Sequence, residues 1–313
     1  MKHVIYPEAT VTVTASSADA DYPVTNLTDN NYRKKVWKAA SGVQTATLRC
    51  AIASTAEVVT LHNTNAETAI VTVTLDSAEV ELTDGQPAVD EGGGLVGIPA
   101  GGHGLSQDDV ILIYGTDNYD GVYTLPSQAA GDANEFIITA IYAAETFSNT
   151  DTVCEVIKTT THTVDEDRIW EEYTSQGAAH TATIVLTAGT GETVEAGIVR
   201  TGPMVTLANA RYDLNKRPRS FSIKKELRNG ASYTKSGEVV RTISYSMLMT
   251  HAKAEDLYDI FEAIDPDPLA FLISDEASDD NLWCFYGAFD GEPIINYAHL
   301  EHSRVAVTFL EAV

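Results

Sequence analysis

The chain has 313 residues, 44% of them hydrophobic and 21% charged, with 45 Asp and Glu against 20 Lys and Arg for a formal net charge of −25. Length and apolar content suffice for two or three domains with packed cores and argue against wholesale disorder. The acidic balance argues against general affinity for nucleic acid or an anionic membrane, since both need Lys and Arg to displace counterions.

The charge is unevenly placed. No Lys or Arg lies between Arg49 and Lys158, whereas Arg211, Lys216, Arg217, Arg219, Lys224, Lys225 and Arg228 crowd into one stretch. Such a division fits complementary surfaces between neighbouring copies, or two solvated faces of unrelated origin. Cys50, Cys154 and Cys284 are far apart and odd in number, which is neither a disulfide framework nor a zinc pattern. They read as buried small hydrophobes of a chain that matures in a reducing cytoplasm. The start, Met1 to Thr10, lacks the apolar core of a signal peptide, and no apolar run is long enough to span a bilayer.

In chain order, most segments have period two. Val11 and Val13 alternate with Thr10, Thr12 and Thr14, and Val71, Val73 and Leu75 alternate with Thr72 and Thr74. This predicts half-buried strands with threonines on the outer face. Gly92–Gly97 and the following Gly101-Gly102 predict a flexible entry into a separate unit. Within it, strands are predicted at Val110–Tyr114, Gly121–Leu125, Glu135–Ile141 and Thr152–Ile157, with turns at Asp117–Asp120 and Gly131–Asn134. Short strands at this density predict a small β-barrel. A second joint falls near Gly202-Pro203. One helix is predicted, Ala252–Ile264, with Ala254, Leu257, Phe261 and Ile264 on its apolar face. Thr250 is its N-cap, and Asp265-Pro266-Asp267-Pro268 stops it. Val305, Val307 and Phe309 alternate again in a last strand, giving an antiparallel, β-dominated chain.

Motifs for chemistry are sparse. Gly92–Gly97 formally matches G-x-G-x-x-G, but Pro99 and further glycines follow where a dinucleotide site needs a helix, so a hinge is the expectation. His299 and His302, three residues apart on a strand, would face opposite sides and share no metal. The aspartates at Asp117–Asp120 and Asp275–Asp280 lack the spacing of a calcium loop and read as turns. No G-x-S-x-G or reactive-cysteine setting is present, so catalytic, cofactor and metal residues are all expected to be none. Trp37, Trp170 and Trp283 could stack on a sugar from a loop, but in strands they belong to the core.

Tyr22-Pro23-Val24-Thr25-Asn26-Leu27-Thr28-Asp29 followed by Val36-Trp37-Lys38-Ala39 resembles the opening of tailed-phage minor or distal tail proteins. Their N-terminal domain is a discoidin-like β-sandwich. Glu195 to Pro203 looks like its closing strand. Gly102 to Ser106 and Asn118 to Tyr123 are similar to small barrels of phage structural proteins. Asp267-Pro268-Leu269-Ala270-Phe271 and Val307 to Ala312 look like the last strands of such tail proteins.

The resulting expectation is a mainly β chain. A discoidin-like sandwich takes 1–90 plus 158–202, an inserted small β-barrel takes 91–157, and an antiparallel β domain with one α-helix takes 203–313. The resemblance implies a virion protein of the tail tip, assembled in the host cytoplasm as a ring of identical copies, a hexamer in preference to a trimer, beside other tail proteins. Arg217, Arg219, Lys224, Lys225 and Arg228 are the candidate subunit interface. No cofactor, sequence-specific nucleic acid contact or membrane insertion is expected; an acidic inner wall would let DNA pass by repulsion. The other readings are a carbohydrate-binding adhesin for a host glycan and, more weakly, a glycan-cleaving enzyme.

Overall fold

The computed structural model describes residues 3–9, 11–29, 34–75, 79–126, 134–164, 167–175, 177, 179–206, 215–226, 232–237, 239–264, 267–273, 284–297 and 301–311. The first strands are β1 (His3–Ile5), β2 (Thr12–Ala15), β3 (Trp37–Lys38), β4 (Thr45–Ile52), β5 (Val58–His62) and β6 (Ala66–Leu75). In β2 the predicted alternation holds: Val13 is buried while Thr12 and Thr14 are exposed. In β6 it fails in one respect, because Thr72 and Thr74 are buried as well as Val71 and Val73. The strand is central in its sheet, and the hydroxyls find partners there: Thr72 Oγ1 lies 3.0 Å from Thr159 Oγ1, and Thr74 Oγ1 donates to the Thr181 carbonyl at 3.2 Å.

The next strands are β7 (Val80–Glu81), β8 (Val89–Gly92), β9 (Leu95–Pro99), β10 (Val110–Tyr114), β11 (Gly121–Thr124), β12 (Glu135–Thr139) and β13 (Thr152–Thr163). One small sheet, β12-β9-β8, and the β11-β10-β13 edge with β7 enclose a core that includes Val96, Ile98, Ile111, Phe136 and Val153. Leu82 and Ala88 belong to this core too, so the unit gathers its first apolar residues ahead of position 91. The glycine run is no hinge. Gly93 and Gly94, at φ +65° and +83°, turn the chain between β8 and β9, whose Val96 and Ile98 are fully buried. Of the predicted turn at Gly131–Asn134, residues 131–133 lie outside the described residues. β13 is also longer than predicted. It pairs with β10 through Thr152–Glu155 and with β6 from Val156 to Thr163, its register shifting between Val156 and Lys158. The bulge bends one strand so that it serves two units.

β14 (Arg168–Glu172), β15 (His180–Ala188), β16 (Glu195–Ala196) and β17 (Ile198–Gly202) complete the sandwich. The sheet β13-β6-β15-β4-β2 faces the sheet β14-β5-β17 across a core containing Leu48, Val71, Ile184, Leu61, Ile169 and Val199. The closing-strand reading of Glu195–Pro203 corresponds to β16, which pairs with β3, and β17, which pairs with β5.

The C-terminal elements are β18 (Met204–Thr206), β19 (Asn215–Ser220), β20 (Ile223–Glu226), β21 (Ser232–Lys235), β22 (Val239–Thr250), α1 (His251–Ile264), β23 (Leu269–Leu272), β24 (Cys284–Phe289), β25 (Ile294–Asn296) and β26 (His302–Glu311). Their main sheet runs β18-β1-β23-β24-β26-β22-β19, with β25 on β26. β1 therefore joins this sheet and not the sandwich expected for residues 1–90. Its three residues are all buried, with Val4 packing on the α1 side and Ile5 on the sandwich side, so a strand covered on both faces is the stable solution. α1 starts one residue earlier than predicted. Thr250 Oγ1 accepts from the Lys253 amide at 3.4 Å as the N-cap. Ile260, and not Phe261, takes the third inner position; Phe261 is half-buried, edge-on to Phe289 with centroids 5.4 Å apart. Asp265 and Pro266 lie outside the described residues.

The outer face of β14-β5-β17 packs on the C-terminal sheet, whose other face carries α1. The stack is thus sheet, sheet, sheet, helix, and the strands of the described residues pair antiparallel.

Candidate functional site

The basic stretch builds one continuous feature. β19 is an edge strand, paired with β22 from Asn215↔Ser244 to Ser220↔Val239, and all six of its residues are exposed. A strand covered by nothing on either face has no alternation for sequence to report. Pro218 and the charged neighbours suit an edge that must avoid indiscriminate pairing. Beyond it, β20 and β21 pair with each other as a separate two-stranded sheet, so the chain between β19 and β22 forms an arm off the main sheet.

The candidate interface residues fall on this arm as follows. Arg217 and Arg219 share one side of β19, two residues apart. Arg219 is engaged by its own chain: Nη1 donates to Asp290 Oδ2 at 2.6 Å, and the guanidinium lies 5.3 Å from the Phe221 ring centroid. Lys224 and Lys225 lie on β20. Arg228 and Arg211 lie outside the described residues.

A second polar assembly, which sequence reading missed, fills the seam between the sandwich and the C-terminal sheet. Arg200 Nε lies 2.9 Å from Glu8 Oε2, its Nη1 donates to the Val199 carbonyl at 2.9 Å, and its Nη2 donates to Tyr286 Oη at 3.2 Å. Arg168, 4% exposed, donates to the Cys284 carbonyl and lies 3.2 Å from Asp167 and 3.9 Å from Glu311. Burial pushes the Glu8 carboxyl up to about 7, with Arg200 and a backbone hydrogen bond from Ala270 opposing it. His62 is held well below its usual range, by burial first and then by the positive charges of Arg168 and Arg200. The available signal was Thr60 and His62 at alternate positions of a strand otherwise made of Val and Leu, and Arg200 after Ile198 and Val199. Period-two reading sends them to solvent, but a third sheet covers them.

A cleft of about 670 Å³ opens beside the seam, lined by Glu57, Ile157, Lys158, Glu172, Tyr173, Thr174 and Met204. Several of its polar groups are already engaged. Lys158 Nζ donates to the Glu172 carbonyl at 2.6 Å and lies 2.7 Å from Glu171. Trp170 Nε1 donates to Glu172 Oε1 at 2.9 Å, and the Met204 amide donates to Glu57 Oε2 at 3.2 Å. Glu171 also accepts from Thr160 at 2.9 Å and lies 2.7 Å from His162. Burial raises its carboxyl, but the hydrogen bonds from His162 and Lys158 prevail and the net shift is downward.

The remaining motifs resolve into structure. At Asp117–Asp120, Asp120 Oδ1 accepts from the Thr116 amide and hydroxyl at 2.7 and 2.9 Å, and Glu145 accepts from the amides of Asp117 and Asn118. These carboxylates organise a turn around buried Tyr119. Residues 275–280 lie outside the described residues, as do His299 and Trp283. Trp37 and Trp170 are 0% and 4% exposed, so neither offers a ring to a sugar. Cys50, Cys154 and Cys284 are buried, and burial alone pushes the Cys50 thiol up to about 12. Among the described residues no three His, Cys, Asp or Glu gather as a metal would need, and no helix is long and apolar enough to cross a membrane.

Residues 7–86 match the family model described as the XRCC1 N terminal domain, a discoidin-like β-sandwich. That stretch runs from before β2 through β7, so the similarity covers the opening strands of the sandwich and the first strand of the inserted unit. No curated protein matches the chain. Among solved structures, a chain of "Virion of native gene transfer agent (GTA) particle" is similar at 15% identity, over 34% of this chain and 93% of that one, with a TM-score of 0.26.

Proposed function

We propose that this chain is a non-enzymatic structural subunit of a phage-like virion, a minor or distal tail protein that assembles with copies of itself into a closed ring at the tail tip. The observation that carries the reading is the basic arm: an exposed, charged edge strand and a two-stranded extension, on a chain whose region between Arg49 and Lys158 has no Lys or Arg. An exposed edge carrying one sign of charge suits a partner surface of the other sign. One arm meeting a different surface on the next copy is a heterologous contact, which leaves no free end only when it closes. The chain order supports the assignment: opening strands, inserted unit, closing strand, then a sheet with one helix, as in the tail proteins whose segments it resembles. Light scattering after size exclusion tests it. A particle of several chain masses, a hexamer by this reading, is expected. A chain that stays monomeric at high concentration and with tail partners would overturn it.

The cleft favours a second reading, a module that binds a host glycan. Glu57, Lys158 and Glu172 could offer hydrogen bonds to sugar hydroxyls, although each already has a partner within the chain. Saturable binding on a glycan array, lost on Glu172→Ala, would promote this reading over the first.

A further inference from the structure

We infer that the outer face of α1 is the surface that receives the basic arm of a second copy; this rests on the ring reading and names its missing half. Glu255, Asp256, Asp259 and Glu262 are all exposed on the helix. Glu255, Asp259 and Glu262 recur at four- and three-residue steps and so form a stripe. Tyr258 lies in this stripe, 41% exposed, and Tyr297, 56% exposed, donates its hydroxyl to Glu255. The only lysine of the helix, Lys253, donates to the Thr206 carbonyl at 3.1 Å, and the helix has no arginine. The exposed helix face therefore combines tyrosine rings with a negative rim.

The arm is its counterpart in both respects. Lys216, Arg217 and Arg219 are exposed on β19, and Phe221 and Val239 beside them are 44% and 57% exposed. An aromatic surface with a negative rim on the helix matches, on the arm, the face that carries Phe221 with Arg217 and Arg219. Contacts of this kind bury an apolar centre and use charge for partner choice and register. Within one copy β19 is held in the plane of the sheet by its pairing with β22, while α1 lies over β22 and β26. The strand is thus beside the helix layer of its own chain, and the matching helix belongs to a neighbour.

Charge-swapped full-length chains decide it, with sedimentation equilibrium as the readout and circular dichroism as the check on folding. Lys216→Glu with Arg217→Glu, and separately Asp259→Lys with Glu262→Lys, should each weaken self-association by roughly tenfold or more. The quadruple variant should regain most of the loss, because the pairs are re-formed with signs exchanged. If the helix variant assembles as well as the unaltered chain, or the quadruple variant shows no recovery, the helix is not the receiving surface and the inference fails, while the arm variant still reports on the ring. If the unaltered chain is monomeric throughout, the ring reading fails and takes the inference with it. Should a reversed variant not fold, the neutral pair Arg217→Gln and Asp259→Asn carries the same test.

Discussion

Glu171 is buried and Glu8 half-buried, both held by cations, yet their surroundings give them opposite responses to pH. Glu8 has one nearby guanidinium and an orphaned Oε1, so desolvation prevails and its carboxyl titrates near 7. An unfolded glutamate titrates near 4.5. The folded chain therefore holds this proton more tightly than the unfolded chain does. The stabilisation is complete below about 4.5 and is lost as pH rises through about 7. The interval corresponds to about 3 kcal/mol. Urea denaturation should show the native chain losing about that much relative to Glu8→Gln between those limits; parallel profiles would dismiss the assignment. Glu171 has the reverse sign. Its carboxyl is lowered, so it stabilises above the usual carboxylate range and loses that contribution as pH falls. Glu171→Ala should cost about 2 kcal/mol near neutrality, with the difference from the native chain shrinking in acid.

At the scale of elements, the turn at Gly93-Gly94 separates two accounts of the same glycines. A hinge would be stabilised by alanine, which reduces the freedom of the unfolded chain. A hairpin turn at φ +83° is strained by any Cβ, even where none of its neighbours is within 4 Å, as at Gly94. Gly94→Ala should therefore lower stability by about 1 kcal/mol in a thermal melt, and a gain would restore the hinge. Thr250→Ala should cost α1 a similar amount, about 1 kcal/mol, by removing its N-cap. What sequence made legible follows from the physics of faces. The helix and the strands around Val13, Val305 and Phe309 were readable because one side of each is buried and the other is wet. β13 continues through Thr159–Thr163, beyond the predicted Thr152–Ile157, because its pairing with β6, rather than burial, makes that part a strand. β19 was invisible for the stronger reason that both its sides are exposed.

At the scale of the whole molecule, the sandwich and the C-terminal sheet are joined by a seam that no single segment encodes. Strand periodicity specifies two faces but not what lies beyond the outer one. Arg200 and His62 thus appear surface-bound until Tyr286, Cys284 and Leu272 arrive from residues far along the chain. This is why the positions of the basic arm and the helix are fixed relative to the sandwich. The C-terminal sheet is clamped on one face by β14-β5-β17 and on the other by α1. Tyr286 is central to the clamp: 1% exposed, it accepts from Arg200, and its ring lies 5.2 Å from that guanidinium and 5.9 Å from His62. Removing the ring leaves a cavity and takes a partner from a buried arginine, together about 3 to 5 kcal/mol. Calorimetry of the native chain should therefore show the sandwich and C-terminal sheet melting together, and Tyr286→Ala should separate them into two transitions. If the variant melts in one transition at an unchanged temperature, the seam does not couple the units, and the arm would be free to move independently of the sandwich.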